Sequence, residues 1–213
     1  MTDRPIIFSA PMVRALLDGR KSQTRRVLKP QPEYLGGYGD EADPEEWGWI
    51  DEDGMPLSVL DISPNGYRKG DLLCVREHWY TVAAYDDLAP SEMGGEEPIR
   101  YNADGTWQTW GYPVPRFHSR FRQGIHMPRW ASRLTLVVTD VRAQRVQDIT
   151  EADAIREGVT LIEESLENPR DAFAVLWNSI HGPDAWDANP WVAAISFETR
   201  KCNIDQMPGG DHE

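Results

Sequence analysis

A lysine and a threonine three residues apart, set among arginines, are the residues of this chain whose types and spacing best suit chemistry. Lys21 and Thr24 lie in the octapeptide Gly-Arg-Lys-Ser-Gln-Thr-Arg-Arg, which begins at Gly19. Neighbouring positive charges disfavour the protonated form of a lysine. A neutral amine is a base, and a hydroxyl group within its reach is a potential nucleophile. If the loop carries a helical turn, the two side chains share one face; the alternative interpretation is a basic, solvated loop.

Other residue types that commonly carry chemistry form no known pattern here. The five histidines lack the spacing of a zinc-binding helix, and there is no Cys-x-x-Cys. Neither a glycine-rich phosphate loop nor a Gly-x-Ser-x-Gly elbow is present. We therefore expect no metal and no cofactor.

The cysteines and the start of the chain bear on the compartment. Cys74 and Cys202 form no motif, which is typical of a reducing cytoplasm without a disulfide framework. The residues after Met1 do not resemble a signal peptide. No stretch approaches the roughly 20 apolar residues of a membrane span. We expect a cytoplasmic protein with no membrane partner.

The net charge of −13 is unevenly spread over the 213 residues. Residues 33–61 contain ten acidic and no basic residues, whereas 11–30 and 116–145 are rich in lysine and arginine. A charge this negative argues against non-specific binding to long nucleic acids. The two basic segments could form a local pocket for an anionic or nucleotide-like ligand; alternatively, they face the acidic segment or solvent.

Apolar periodicity predicts a small α+β protein with a mixed β-barrel, flanking helices and two long insertions. Strands are expected at 5–9, 72–77, 133–141 and 191–198, and helices at 10–18, 148–158 and 169–180. The insertions, rich in turn-forming residues, cover about 30–66, with a hairpin near Trp47 to Gly54, and about 80–128. We expect residues 1–201 to form a single domain and 202–213 a disordered tail.

The helix predicted at 148–158 places a glutamate at its C-terminal end. Thr150 is a suitable N-cap with Asp153 at N3, and Gly158 ends the helix. Glu157 then lies in the last turn, where the negative end of the helix dipole favours a protonated carboxyl group. That environment suits a general acid, although a solvated glutamate is the alternative.

Two short segments next to predicted strands are candidates for ligand binding. Arg129 and Trp130 could hold a base by cation–π contact and stacking; alternatively, Trp130 is a core residue and Arg129 a surface ion-pair partner. Arg76 and Glu77 follow a strand and could face a pocket, or they could simply end that strand.

Four segments together resemble the ASCH domain, a family of small PUA-like β-barrels. They are residues 17–26 (LDGRKSQTRR), 69–75 (KGDLLCV), 135–140 (TLVVTD) and 148–154 (DITEADA). The resemblance extends over residues 5–29, 68–79, 130–158 and 190–198, about half of the chain.

The Gly-x-Lys-x-x-Thr-x-Arg pattern is most similar to the bacterial N4-acetylcytidine amidohydrolases. Many ASCH proteins carry glutamate where this chain has Thr24. Longer relatives with tryptophan-rich insertions, such as residues 169–197 here, are similar to phage-borne ASCH proteins. The two insertions, about 30–66 and 80–128, would wall or cover the mouth of the barrel.

The resemblance implies a catalytic set of lysine, threonine and glutamate. Lys21 and Thr24 match directly, and counting from the start of the following helix brings the glutamate to Glu157, with Glu151 the alternative. The implied activity is removal of an acyl group from the exocyclic amine of N4-acylated cytosine or cytidine. The expected substrate-binding residues are Arg20, Arg26, Arg76, Glu77, Arg129 and Trp130.

Three other functions remain open at this stage. A PUA-like module could bind RNA or a modified nucleotide without chemistry, although the net charge argues against it. A ribonuclease could use the same cleft, with Lys21 as its base. A phage accessory protein could bind a host factor through the acidic segment 33–61.

Overall fold

The structure is a computed structural model that describes residues 2–36, 43–59, 66–159 and 168–207. Its helices are α1 (Ala10–Leu17), α2 (Glu151–Arg156) and α3 (Pro169–His181). Its strands are β1 (Asp3–Ile7), β2 (Gln23–Val27), β3 (Glu33–Tyr34), β4 (Trp47–Ile50), β5 (Pro56–Ser58), β6 (Leu72–Arg76), β7 (Trp79–Tyr80), β8 (Ile99–Tyr101), β9 (Trp107–Gln108), β10 (Phe121–Arg122), β11 (Thr135–Arg145) and β12 (Trp191–Arg200). In these ranges no helix has the length and apolar character needed to cross a membrane.

The predicted α+β class is confirmed, and the chain divides into two compact units. Unit 1 comprises Met1–Gly19, Asp71–Val137 and Glu198–Glu213; unit 2 comprises Arg20–Gly70 and Val138–Phe197. Each unit is built from separate segments of the chain, so the two alternate along the sequence. The single domain expected for residues 1–201 stays a prediction.

Unit 1 contains two separate sets of paired strands. β1 pairs in parallel with β6, and the first residues of β11 pair antiparallel with β6. A second sheet has the order β10-β7-β8-β9. It forms within the segment that we expected to be an irregular insertion, because Trp79, Ile99 and Met127 bury their side chains in one apolar cluster.

Unit 2 carries the segments that the sequence singled out for chemistry. In it the strands run in the order β11-β12-β2, and β12 pairs antiparallel with β2. β3, β4 and β5 form a separate sheet, which confirms the hairpin expected near Trp47. Apolar side chains from α2, α3, β12 and the segment between β11 and α2 form a core cluster of the unit: Val146, Ile149, Ala154, Phe173, Trp177 and Val192.

The segment that follows α1 differs from our expectation. Gly19, with φ of +73°, ends the helix as predicted. Residues 23–27 then form a strand rather than a helical turn, since their backbone pairs with Val192 to Ser196. Polar strands of this kind lack the alternating apolar pattern by which strands are recognised.

The end of the chain also needs a correction. Residues 202–207 are not disordered: Ile204–Gln206 forms a 3₁₀ turn, and Ile204 is buried. Asn203 anchors this turn through its side-chain amide, which donates to the carbonyl oxygens of Arg129 and Ser132. Residues 208–213, included in the same prediction, lie outside the described residues.

Loss of the Thr150 cap is expected to weaken α2. The Thr150 hydroxyl accepts a hydrogen bond of 3.1 Å from the backbone N–H of Asp153. Thr150→Ala should lower the free energy of unfolding by about 1 kcal/mol, whereas Thr150→Ser retains an acceptor and should lower it by less. Urea denaturation of both variants provides the measurement, and equal losses would contradict the role of the hydroxyl group.

Candidate active site

Lys21 and Glu157 form a buried pair in unit 2. Lys21 lies two residues before β2, and Glu157 is the residue that ends α2. The Lys21 Nζ donates to the Oε2 atom of Glu157 and to its backbone oxygen, each at 2.8 Å. The two residues are 3% and 4% exposed, respectively. The structure thus joins two of the three predicted catalytic residues.

Arg25 holds the second oxygen of the same carboxylate. Its Nη1 atom lies 2.9 Å from Oε1 of Glu157 and 2.7 Å from Oε1 of Gln23. Gln23 in turn donates to the hydroxyl group of Ser196 on the paired strand β12. Because both carboxylate oxygens have a charged donor, the Glu157 side chain is fixed in one orientation.

Asp153 completes a cluster of four buried charges. Its Oδ2 atom lies 3.3 Å from Nη2 of Arg25, and the residue is 6% exposed. Two cations, Lys21 and Arg25, therefore face two carboxylates, those of Asp153 and Glu157. The carboxyl group that we expected to complete the helix cap instead binds an arginine. Buried charges are tolerated when they are paired in this way.

Burial lowers the pKa of Lys21 below its ordinary range. Glu157 opposes this shift, while the nearby Arg26 and Arg25 add to it. An amine with a lowered pKa is more often unprotonated near neutral pH and can act as a base. At pH values between this lowered pKa and 10.5, the ordinary pKa, Lys21 binds more protons in the unfolded chain than in the folded protein. The free energy of unfolding therefore rises with pH in that range.

Arg26→Gln is expected to raise the pKa of Lys21, because it removes a positive charge that disfavours the ammonium form. The pKa can be read from an NMR titration of the labelled Lys21 Nζ. Arg20→Gln is the matched control, since Arg20 is an arginine adjacent to Lys21 in the sequence but exposed, where solvent screens its charge. An unchanged pKa in Arg26→Gln, or an equal rise in both variants, would contradict the charge effect.

Thr24 is buried on the other side of the strand. Side chains alternate between the two faces of β2, and Arg25 and Gln23 share the face that meets Glu157. Thr24 therefore lies on the opposite face of β2 from Gln23 and Arg25, and the helical turn that would have placed it on one face with Lys21 is not formed. The residue is 4% exposed, and its hydroxyl group makes no hydrogen bond within the part of the chain that the structure describes.

The loop before β2 holds its backbone through hydrogen bonds to its neighbours. The Ser22 N–H donates to the carbonyl oxygen of Arg156 at 2.8 Å, and the Ser22 oxygen accepts from the Phe197 N–H. The Ser22 amide is therefore already engaged and is a poor candidate for stabilising an oxyanion. Glu151, the alternative to Glu157, is exposed at the first turn of α2.

The expected substrate-binding residues fall in both units. Arg20, which is exposed, and Arg26, which is half-buried, belong to unit 2 with Lys21. The other four belong to unit 1 and are Arg76, Glu77, Arg129 and Trp130. Their roles in binding stay predictions.

Contacts within unit 1 engage these four residues. Glu77 is 2% exposed and forms a bidentate pair with Arg133 at 2.8 and 3.0 Å. Arg129 pairs with Asp3 and Asp205, as the ion-pair interpretation predicts. Trp130 packs against the apolar cluster of unit 1, and Arg76 donates to a carbonyl oxygen at position 125.

The sequence did not single out Arg25 as a partner of Glu157, or Asp153 as a partner of Arg25. The sequence pattern indicates only a positive charge near Lys21 for Arg25 and only a position in the helix cap for Asp153. The spacing of Gln23 and Arg25 places them on one face if residues 23–27 form a strand, and this could have indicated a shared partner. The strand itself is hard to predict because most of its residues are polar.

Comparisons with known proteins add no relative from which this geometry could be interpreted. No protein-family model, no curated protein and no solved structure matched the chain.

Proposed function

We propose that this protein is an amidohydrolase that removes the acyl group from the exocyclic amine of N4-acylated cytosine nucleosides. The observation that carries the proposal is the buried Lys21, whose pKa is lowered and whose Nζ lies 2.8 Å from the Glu157 carboxylate. The sequence motifs support the choice of substrate. Membership of the ASCH family and a PUA-like barrel belong to the same proposal.

In the first step Lys21, as the amine, takes the proton of the attacking hydroxyl group of Thr24. The Thr24 oxygen bonds to the acyl carbon and the bond from that carbon to N4 breaks. The proton passes from Lys21 to Glu157 along their hydrogen bond, and from Glu157 to the departing nitrogen. Water then attacks the acyl-enzyme ester, releases the carboxylic acid and restores the threonine.

Arg25 acts in this scheme as a positioning residue. Its charge-assisted hydrogen bond to Oε1 leaves Oε2 of Glu157 directed at Lys21, so proton transfer between the two needs no rearrangement. Arg25 also supplies the buried carboxylate with a counter-charge when Lys21 is neutral.

The support for Thr24 is of a different kind. It rests on the Gly-x-Lys-x-x-Thr-x-Arg pattern and on the burial of the residue, whereas the direction of its side chain in β2 gives no support. If water held near Lys21 is the nucleophile instead, the acid–base roles of Lys21 and Glu157 are unchanged.

An absorbance assay with N4-acetylcytidine and N4-benzoylcytidine tests the proposal directly. We expect the purified protein to convert at least one of them to cytidine and the corresponding acid, with unmodified cytidine as the reference product. Conversion of neither compound would overturn the proposal and would leave RNA binding or cleavage as the functions to test.

A further inference from the structure

A cavity of about 600 Å³ is lined by residues of unit 1, whereas Lys21 and Glu157 belong to unit 2. One wall is formed by residues 87–90, and the other by residues 120–123 together with His126. Leu88 and Pro90 supply apolar surface, while two arginines supply charge. Volumes between roughly 300 and 1,000 Å³ accommodate ligands of the size of a nucleotide.

The two arginines of the cavity, Arg120 and Arg122, have no carboxylate partner among the residues that the structure describes. The guanidinium of Arg120 contacts only the backbone oxygen of Asp86, at 3.3 Å. Arg122 donates through Nη2 to the backbone oxygen of Tyr85 at 2.7 Å, and more weakly to that of Asp86. The Asp86 carboxylate accepts hydrogen bonds from the hydroxyl group of Ser119 and from the backbone N–H of Arg120.

Arg122 is only 7% exposed, and no carboxylate among the described residues forms an ion pair with it, although its guanidinium lies 5.3 Å from the ring centroid of Trp79. Burial, reinforced by Arg120, lowers its pKa, and the charge of Asp86 opposes this shift. Its Nη1 makes no hydrogen bond within the described ranges, although the residue lines the cavity. A buried and unpaired guanidinium is costly, and an anion bound in the cavity would remove that cost.

Phe121 lies between the two arginines in the sequence and adds an aromatic ring to the lining of the cavity. It is 48% exposed and lines the cavity. Its ring is held in place by His78 and Tyr80, whose ring centroids lie 5.1 and 5.5 Å away. An exposed ring held in one orientation is suited to stacking with a planar base.

We propose that this cavity binds a nucleoside monophosphate, with its phosphate on Arg120 and Arg122 and its base against Phe121. Asp87 is the one carboxylate among the lining residues, so the lining keeps a net positive charge within a chain whose net charge is −13. The anion is therefore attracted by the cavity itself and not by the protein as a whole. The residues of this cavity are different from those of the proposed hydrolase site, and the proposal does not depend on that function.

Calorimetric titration with CMP, UMP, AMP and GMP at low salt tests the proposal, with cytidine and inorganic phosphate as partial ligands. At least one monophosphate should bind, and more tightly than either partial ligand. Arg120→Gln and Phe121→Leu, both at exposed positions, should each weaken that binding about tenfold, which corresponds to about 1.4 kcal/mol. Arg116→Gln is the matched control, an exposed arginine outside the lining, and should bind like the wild type.

Each contrary result overturns a defined part of the proposal. Absence of binding by all four monophosphates overturns it entirely. Equal binding of inorganic phosphate excludes stacking on Phe121, and equal binding of cytidine excludes the anion site. An equal loss in Arg116→Gln and Arg120→Gln assigns the binding to general surface charge. Binding that both Arg120→Gln and Phe121→Leu leave unchanged would place the ligand outside this cavity and overturn the proposal.

Discussion

Glu157→Ala is expected to lower the free energy of unfolding by about 3–5 kcal/mol, because it leaves two cations buried without their shared partner. Lys21 and Arg25 both bind the Glu157 carboxylate, and all three residues are at most 4% exposed. Lys21 can respond by losing its proton, but Arg25 cannot. Urea denaturation at neutral pH, with far-UV circular dichroism as the signal, measures the loss.

Glu151→Gln is the matched control for this variant. Glu151 lies on the same helix but is exposed, so its substitution should cost less than about 1 kcal/mol through the helix dipole alone. Lys21→Met should also cost less than Glu157→Ala, since Arg25 then still faces two carboxylates. A loss below about 1 kcal/mol for Glu157→Ala would mean that water reaches the cluster and screens its charges.

Lys21→Met is expected to reduce kcat/KM for the acylated cytidine by about 10²–10⁴-fold, the range that a general base contributes. Methionine fills a similar volume but cannot accept a proton. The rate should be measured with the better of the two substrates, and folding checked by thermal denaturation. Lys29→Met, which removes an exposed lysine from the same segment, should retain the wild-type rate.

Two variants of Thr24 then separate the nucleophile from its alternatives. If Thr24 forms the acyl-enzyme, Thr24→Ser should retain measurable turnover and Thr24→Ala should lose it as fully as Lys21→Met. If Thr24→Ala keeps the wild-type rate, the nucleophile is water. A Lys21→Met variant that folds and keeps its rate would contradict the proposed function itself.

Helices and strands with regular apolar patterns were predictable from the sequence. α1, α2 and α3 were expected within a few residues of their observed ends, and the long apolar strands β11 and β12 were expected as well. The helices bury one side, and burial imposes the period by which they are recognised, whereas Trp191 to Ile195 of β12 are buried on both faces and form a continuous apolar run.

Strands that consist mainly of polar residues, or that are very short, were not predictable in this way. β2 contains Gln, Thr and two arginines, and it is a strand because of its pairing with β12. The short strands β8 to β10 depend likewise on distant apolar partners. Local pattern does not encode such pairings.

The candidate site shows the same division. The nearness of Lys21 to Glu157 was implied by the family resemblance and not by spacing, since 136 residues separate the two positions. The pairs that Arg25 makes with Asp153 and Glu157 span 128 and 132 residues, and no local sequence motif predicts them. Charge complementarity between distant segments becomes visible only in three dimensions.

The alternation of the two units along the chain has a consequence for biosynthesis. Unit 1 joins Met1–Gly19 to Glu198–Glu213, and unit 2 joins Arg20–Gly70 to Val138–Phe197, so each unit needs segments that are synthesised far apart in time. The first unit cannot fold while the second is still being translated, as successive domains often do. Long-range pairs such as Lys21–Glu157, which are 136 residues apart in the sequence, raise the contact order of a fold, and a higher contact order slows folding.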